Sequence, residues 1–245
     1  MQTHSPASRH GTDARSSRTP GALFRWMENK LMHRVSLDEY RKQVHDVYSG
    51  PRGAFLATAS TLSLHLLLGE RLIKQRIFDL AGAKKILDVG SGAGQMIQHL
   101  LKYCDGGATV TGFDFSHKML ERARQRLRDE RPRLVTADMT RLPFADDSFD
   151  CLTCGYVLEH LPDARQGLSE LSRVLSPGGR MLLLVTEDTF AGAITSRLWC
   201  CRTYSRKELQ RCCEELGLTW KRELWFTDMH RRFKAGGICV EIERA

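Results

Sequence analysis

The stretch Ile86–Gln95, ILDVGSGAGQ, reads as a short strand, a glycine-rich turn and the opening of a helix. Ile86, Leu87 and Val89 give the apolar run of a strand buried on both faces. Glycines at 90, 92 and 94 let the backbone turn sharply and let a ligand approach with no Cβ in its way. A helix starting there offers free N–H groups and the positive end of its dipole to an anion. A dinucleotide fingerprint, G-x-G-x-x-G, would set its third glycine at position 95, but Gln95 stands there and the glycine comes one residue early. The Gly-Lys-Ser/Thr ending of a Walker-type loop is absent. The turn is an anion cradle of neither phosphate-binding pattern, so the strands that follow must identify the ligand.

Outward from this turn the chain alternates strands and helices. Strands are expected at Lys85–Val89, Thr109–Phe113, Arg133–Thr136, Phe149–Thr153 and Arg180–Thr186, with helical patterns at Ser116–Arg128 and Ala164–Leu175. Short apolar strands spaced by amphipathic helices predict an α/β fold, a parallel sheet with helices on both faces. The end differs: GLTWKRELWFTD and GGICVEIER read as two strands joined by a short basic loop, so the sheet finishes with an antiparallel strand.

Before the sheet, residues 1–20 are Arg- and Ser-rich with no apolar core, which reads as a disordered tail, with an organelle transit peptide as the alternative. Residues 21–80 carry helical periodicity, including Leu23, Trp26, Met27 and Leu31, and a second helix is expected over Leu66–Leu80. They predict an N-terminal helical extension that caps the substrate, ahead of a main domain over 81–245. The apolar stretch Gly53–Gly69 is short for a spanning helix and holds His65 and four Ser/Thr residues; a cytoplasmic protein is expected.

The chain has 245 residues and a net charge of +8. The charge is uneven: residues 51–196 hold 18 basic and 17 acidic side chains, whereas residues 197–234 hold 10 basic and 5 acidic. The basic flanks suit an anionic substrate or a peripheral contact with an anionic membrane. Eight cysteines lie without the C-x₂-C spacing of zinc ribbons, so reduced thiols and no metal are expected.

Two acids point to the ligand. Asp114 ends the second strand, where a carboxylate accepts both ribose hydroxyls of an adenosyl group. Asp138 ends the third, beside the backbone of Met139, where a carboxylate and an N–H read a purine edge; Phe115 and Met119 offer the ring an apolar slot. Each acid alone also fits a cap or turn role. Together they sit at successive strand ends beside the glycine turn, where open α/β sheets bind ligands.

With these residues in place, ILDVGSGAGQ, GFDFSHKMLERAR, TADMTRLPFADDSFDCLTCGYVLEHLPD and LSRVLSPGGRMLLLV resemble the ordered motifs of class I S-adenosylmethionine-dependent methyltransferases, nearest the type 11, quinone-biosynthesis-like branch. The resemblance covers about residues 80–190. It implies a doubly wound, Rossmann-like sheet of seven strands in order 3-2-1-4-5-7-6, with strand 7 antiparallel. It implies S-adenosyl-L-methionine as cofactor, with Asp88, Gly90, Ser91, Gly92 and Gly94 around the methionine portion, Asp114 at the ribose, Asp138 and Met139 at the adenine, and Cys154, Gly155 and Tyr156 near the sulfonium.

Methyl transfer is an in-line displacement in which the protein mainly aligns the reacting atoms. In GYVLEHLPD, Tyr156 and Glu159 are candidate substrate residues, and Glu159 and His160 follow strand 4 close to where the acceptor is expected; His160 is the candidate base, with a scaffold role as its alternative. Some quinone-pathway relatives add an upstream acid that completes a divalent-metal site, and Tyr156 stands there in this chain. Tyr204 either lines the acceptor pocket or simply precedes a helix N-cap at Ser205. The expected acceptor is a small molecule or a lipid-like amphiphile. The competing readings are an RNA or protein methyltransferase, and a non-catalytic adenosyl-ligand or NAD(P)-binding protein. No added nucleic-acid-binding module is visible in the sequence.

Overall fold

Strand β1, Lys85–Val89, runs through the middle of the molecule with its last four residues buried. The computed structural model describes Lys42 and residues 64–199, 201–233 and 237–245. The tail over 1–20 and the helices expected between residues 21 and 63 lie outside the described residues. Helix α1 (Leu64–Lys74) leads into β1; α2 (Gln95–Tyr103), β2 (Thr109–Asp114), α3 (His117–Leu127), β3 (Arg133–Thr136) and β4 (Phe149–Gly155) follow. A short 3₁₀ turn at Leu158–His160 then precedes α4 (Ala164–Val174), β5 (Leu175–Val185), α5 (Phe190–Trp199), α6 (Arg206–Glu215), β6 (Leu218–Glu223), α7 (Asp228–Phe233) and β7 (Ile238–Arg244).

The seven strands form one sheet in the order β3-β2-β1-β4-β5-β7-β6. Pairing is parallel from β3 across to β5, and β7 runs antiparallel to both β5 and β6. The order and the reversed strand are those implied by the resemblance.

Alternation along the strands feeds two cores, one per face. Ile86, Cys151, Leu182 and Leu184 join Leu72 and Ile73 of α1 and Ile97 and Leu100 of α2. Leu87, Val89, Leu152, Leu183 and Val185 join Leu168 and Leu171 of α4 and Leu209 and Cys213 of α6. Each fully buried Leu or Ile contributes roughly 1.5–3 kcal/mol by leaving water. Helices covering both faces are what make purely apolar strands stable in water.

Three details depart from the sequence reading. Helix α1 ends at Lys74, short of Leu80, because Arg76 takes a left-handed φ of 52° that breaks the helical path. Strand β5 starts at Leu175, opposite Phe149, then bulges through Pro177–Gly179 before Arg180 pairs with Cys151. The basic β6–β7 connection contains the short helix α7.

Candidate functional site

At the carboxyl end of β1, Asp88 is only 2% exposed. Its Oδ1 accepts from Thr153 Oγ1 at 2.7 Å, across the β1–β4 register that pairs the two residues. Its Oδ2 has no partner among the described residues. Burial pushes this carboxyl up to about 7; the Thr153 and Ser91 hydroxyls oppose the shift, and the negative charge of Asp114 adds to it.

The turn that follows is fixed by its glycines. Gly90, Gly92 and Gly94 all take left-handed φ, at 65°, 51° and 81°. A Cβ on Gly90 would lie 2.4 Å from Val157 Cγ2, so the loop after β4 sits directly against this turn. Ser91 Oγ donates to Asp88 O at 3.0 Å and Ser91 N–H donates to Phe113 O at 2.8 Å. Gly94 is the N-cap of α2 and brings no side-chain acceptor to the helix's first N–H groups.

Asp114 ties the next strand end to the turn. Its Oδ2 accepts from Gly92 N–H at 2.9 Å and its Oδ1 from Ser116 N–H at 2.8 Å. Burial raises its pKa against the pull of these two N–H groups. Phe115 is half-buried beside it. Met119 on α3 packs over the turn, its Cε 3.6 Å from where a Cβ on Gly92 would stand. Ala137 N–H donates to Asp114 O at 3.1 Å, which draws the β3 end into the same edge. There Asp138 Oδ1 accepts from Thr140 N–H at 2.8 Å and Oγ1 at 2.7 Å. Met139 turns its side chain into the core, its Cε 3.1 Å from where a Cβ on Gly167 would stand.

The β4 end divides differently. Cys154 is fully buried in the core, and burial pushes its thiol well above its usual range. Gly155 closes the strand, and Tyr156 takes a φ of 58°, an uncommon conformation for a side chain of this size. Its N–H donates to Leu184 O at 2.8 Å.

Glu159 is 1% exposed; its Oε1 accepts from Thr186 N–H at 2.8 Å and Thr186 Oγ1 at 2.7 Å. Its Oε2 has no partner among the described residues. Burial raises this carboxyl to about 7, against the two Thr186 donors. Tyr204, 9% exposed, donates its hydroxyl to Leu158 O at 2.9 Å, and its N–H donates to Thr186 O. Glu159 and Tyr204 therefore clasp three segments, residues 158–160, the β5 end and residues 201–204. His160 is partly exposed, and burial lowers its pKa to about 4, so the ring is neutral at physiological pH.

The fold thus gathers Asp88, the glycine turn, Asp114, Met119 and Asp138 at one edge; the turn after β4 meets them through the Gly90–Val157 contact, while the Tyr156 ring, expected at the ligand, packs against the core on the α1–α2 face. Cys154 and the side chain of Met139 belong to the core. Thr153, Val157 and Thr186 are site residues the sequence reading omits. A lone threonine inside the buried strand FDCLTCG, level with Asp88, is the signal that marks Thr153.

Residues 87–183 match the model of a methyltransferase domain family, type 11. A demethylmenaquinone methyltransferase of Clavibacter sepedonicus is 37% identical over 153 residues, 62% of this chain and 61% of that protein. A ubiquinone/menaquinone biosynthesis C-methyltransferase of Desulfotalea psychrophila is 42% identical over 105 residues, 43% of this chain and 42% of that one. The chain thus spans less than two thirds of the length of these curated relatives. Among solved structures, mitomycin 7-O-methyltransferase shares the fold with a TM-score of 0.68 at 19% identity, over 93% of this chain and 69% of that one. Sequence match and strand order agree on residues 87–183, which carry a methyltransferase domain of the type 11 family on the seven-stranded sheet described above.

Proposed function

We propose that the chain transfers the methyl group of S-adenosyl-L-methionine to a small-molecule acceptor of the amphiphilic, quinone-precursor class. The observation that carries the cofactor reading is Asp88 Oδ2, a buried carboxylate oxygen without a partner among the described residues, beside a turn of three left-handed glycines. An ammonium group satisfies that oxygen, and the uncapped first turn of α2 suits a carboxylate. An amino-acid end carries both. Asp114 keeps lone pairs for ribose hydroxyls while it holds Gly92, and Asp138 with the Met139 backbone faces the adenine edge. Phe115 and Met119 flank the ring, and Gly155 stands at the sulfonium.

The bound cofactor would supply an activated methyl carbon with a neutral thioether as its leaving group. The chain's part is alignment. The Glu159–Thr186–Tyr204 clasp holds the turn that carries His160, the candidate base where the acceptor is a hydroxyl or carbon acid, and burial of its ring works against that role by lowering its basicity. In this reading residues 81–245 form the catalytic domain, residues 21–80 cap the acceptor, residues 1–20 are a tail, and the basic flanks rest on an anionic membrane.

Calorimetry with S-adenosylhomocysteine and with NAD tests the cofactor. Binding of the first alone is expected, and Asp114→Ala should weaken it at least ~10-fold by removing a charge-assisted ribose contact. Binding of NAD alone, or unchanged affinity in the variant, overturns the assignment. A radiolabelled-methyl screen of quinone, lipid, metabolite and RNA fractions tests the acceptor. Label confined to RNA or protein overturns the small-molecule reading.

A further inference from the structure

Residues 201–204 cross the carboxyl end of the sheet beside the turn that carries His160. Glu187 and Tyr204 form a parallel bridge, and Asp188 N–H donates to Tyr204 O at 3.0 Å, so the segment lies along the chain leaving β5. Arg202 N–H donates to Glu159 O, also at 3.0 Å, which fixes Arg202 against the residue before His160. The Arg202 side chain is half-buried, and its Nε is enclosed with no hydrogen-bond partner among the described residues. Its guanidinium carbon lies 5.9 Å from the centre of the Tyr204 ring. A buried charged donor without an acceptor is costly, so the group needs a reason to be there.

The carboxylates around it are engaged elsewhere. Glu187 pairs with Arg206 at 2.6 Å, Asp163 caps α4 by accepting from Arg165 N–H at 2.9 Å, and Glu159 turns its carboxylate onto Thr186. Arg202 shares no ion pair among the described residues. Burial raises the pKa of the Tyr204 hydroxyl and the Arg202 charge opposes that shift, but a hydroxyl that already donates to Leu158 O does not balance a cation. The cofactor does not balance it either. In the reading above its carboxylate lies at the start of α2 beyond β1, whereas Arg202 stands past β4, at the β5 end. Its sulfonium is itself a cation. The acceptor is the remaining source of negative charge on this side.

We infer that Arg202 selects the acceptor by pairing its guanidinium with an anionic oxygen, of a carboxylate or a phosphate, that the acceptor carries. The inference rests on the methyl-transfer reading and narrows its substrate class to acidic acceptors. A carboxylate or phosphate meets the Nε–Nη edge of a guanidinium with two parallel bonds, which fixes direction as well as charge. An acceptor anchored there stands next to the turn that carries His160. A neutral acceptor leaves the cation desolvated and unpaired, so the same residue rejects it.

The test is calorimetry of the full chain, saturated with S-adenosylhomocysteine, against para-butylbenzoate, para-butylphenyl phosphate and the neutral para-butylbenzamide. At least one anion should bind about tenfold more tightly than the amide, and which one does so tells carboxylate from phosphate. Arg202→Met keeps an apolar stem beside Tyr204 and removes the charge. Anions and amide should then bind alike, while S-adenosylhomocysteine affinity and Tm stay near those of the wild type. Arg202→Lys restores the charge without the fork and should keep only part of the preference, roughly a third of it. Where Arg202→Met does not fold, the ratio in Arg202→Lys is read instead. A merely structural Arg202 moves Tm and leaves the ratio of anion to amide affinity as in the wild type; an unchanged ratio in either variant overturns the inference. A wild type that binds the three probes alike, or none of them, overturns it without any variant. Either result with S-adenosylhomocysteine binding intact removes this inference alone; absence of that binding in the wild type removes the functional reading.

Discussion

Glu159 shows how far a single residue's setting departs from its motif. The pair Glu159-His160 reads as acceptor-side chemistry, yet the fold turns the carboxylate inward onto Thr186. Which way a side chain points after a strand end depends on donors more than twenty residues away, and no local pattern encodes them. The setting has a consequence in solution. Burial raises the carboxyl from its usual 4.5 to about 7, so the folded chain binds this proton more tightly than the unfolded chain. Between those two values the folded state holds more protons, and stability falls as pH rises; above about 7 the whole cost is present. Glu159→Gln keeps an acceptor for Thr186 and cannot ionise. Relative to wild type, the variant should gain on the order of 2–3 kcal/mol between pH 5 and pH 8, on top of any constant offset from its amide. Urea unfolding at several pH values reads this directly. Parallel pH curves for the two proteins would mean that Glu159 is ionised throughout, with Oε2 paired in solution.

At the scale of elements, the parallel strands and their helices were legible because apolar runs and amphipathic periods are local. The ends of β1 and β3 fall where the apolar pattern ends. Helix α7 is not legible because DMHRRF is too short to show a period, nor is the Pro177–Gly179 bulge, because its pairing depends on β4. The glycine turn joins both kinds of information. Its left-handed residues are visible as glycines, but the close approach of Val157 to Gly90 is not. Gly90→Ala must place a Cβ at φ 65° and 2.4 Å from Val157 Cγ2. The first cost is roughly 1–2 kcal/mol and belongs to the backbone. The second falls on the end of a side chain, and trimming that side chain relieves it. Combining Gly90→Ala with Val157→Ala should therefore recover part of the lost stability, with a coupling of about 0.5–3 kcal/mol in a double-mutant cycle. Strict additivity would show that the two loops do not touch.

For the whole molecule, strand order places Asp88, Asp114, Asp138 and Tyr156 at four neighbouring strand ends, so one ligand is able to brace half of the sheet edge at once. That convergence was legible from motif order. The acceptor's surroundings were less so, since Cys154 and Tyr204 prove to be buried and, of residues 21–63, only Lys42 is among the described residues. A bracing ligand links to stability: at a hundredfold excess over Kd it adds ~2.7 kcal/mol, worth roughly 5–10 °C in Tm for a chain of this size. S-adenosylhomocysteine should give such a shift and NAD should not. The shift should also depend on pH. Asp88 must be ionised to meet an ammonium, and burial holds its carboxyl near 7 in the free protein. Binding below that pH therefore releases a proton, so affinity rises as pH climbs from 6 toward 8 and then levels. Asp88→Asn removes the titrating group and should flatten the profile while lowering affinity overall. Thermal shifts at fixed ligand excess across that range are the measurement. A wild-type profile as flat as that of Asp88→Asn would move the ammonium away from Asp88 and leave the amino-acid end of the site to be drawn again.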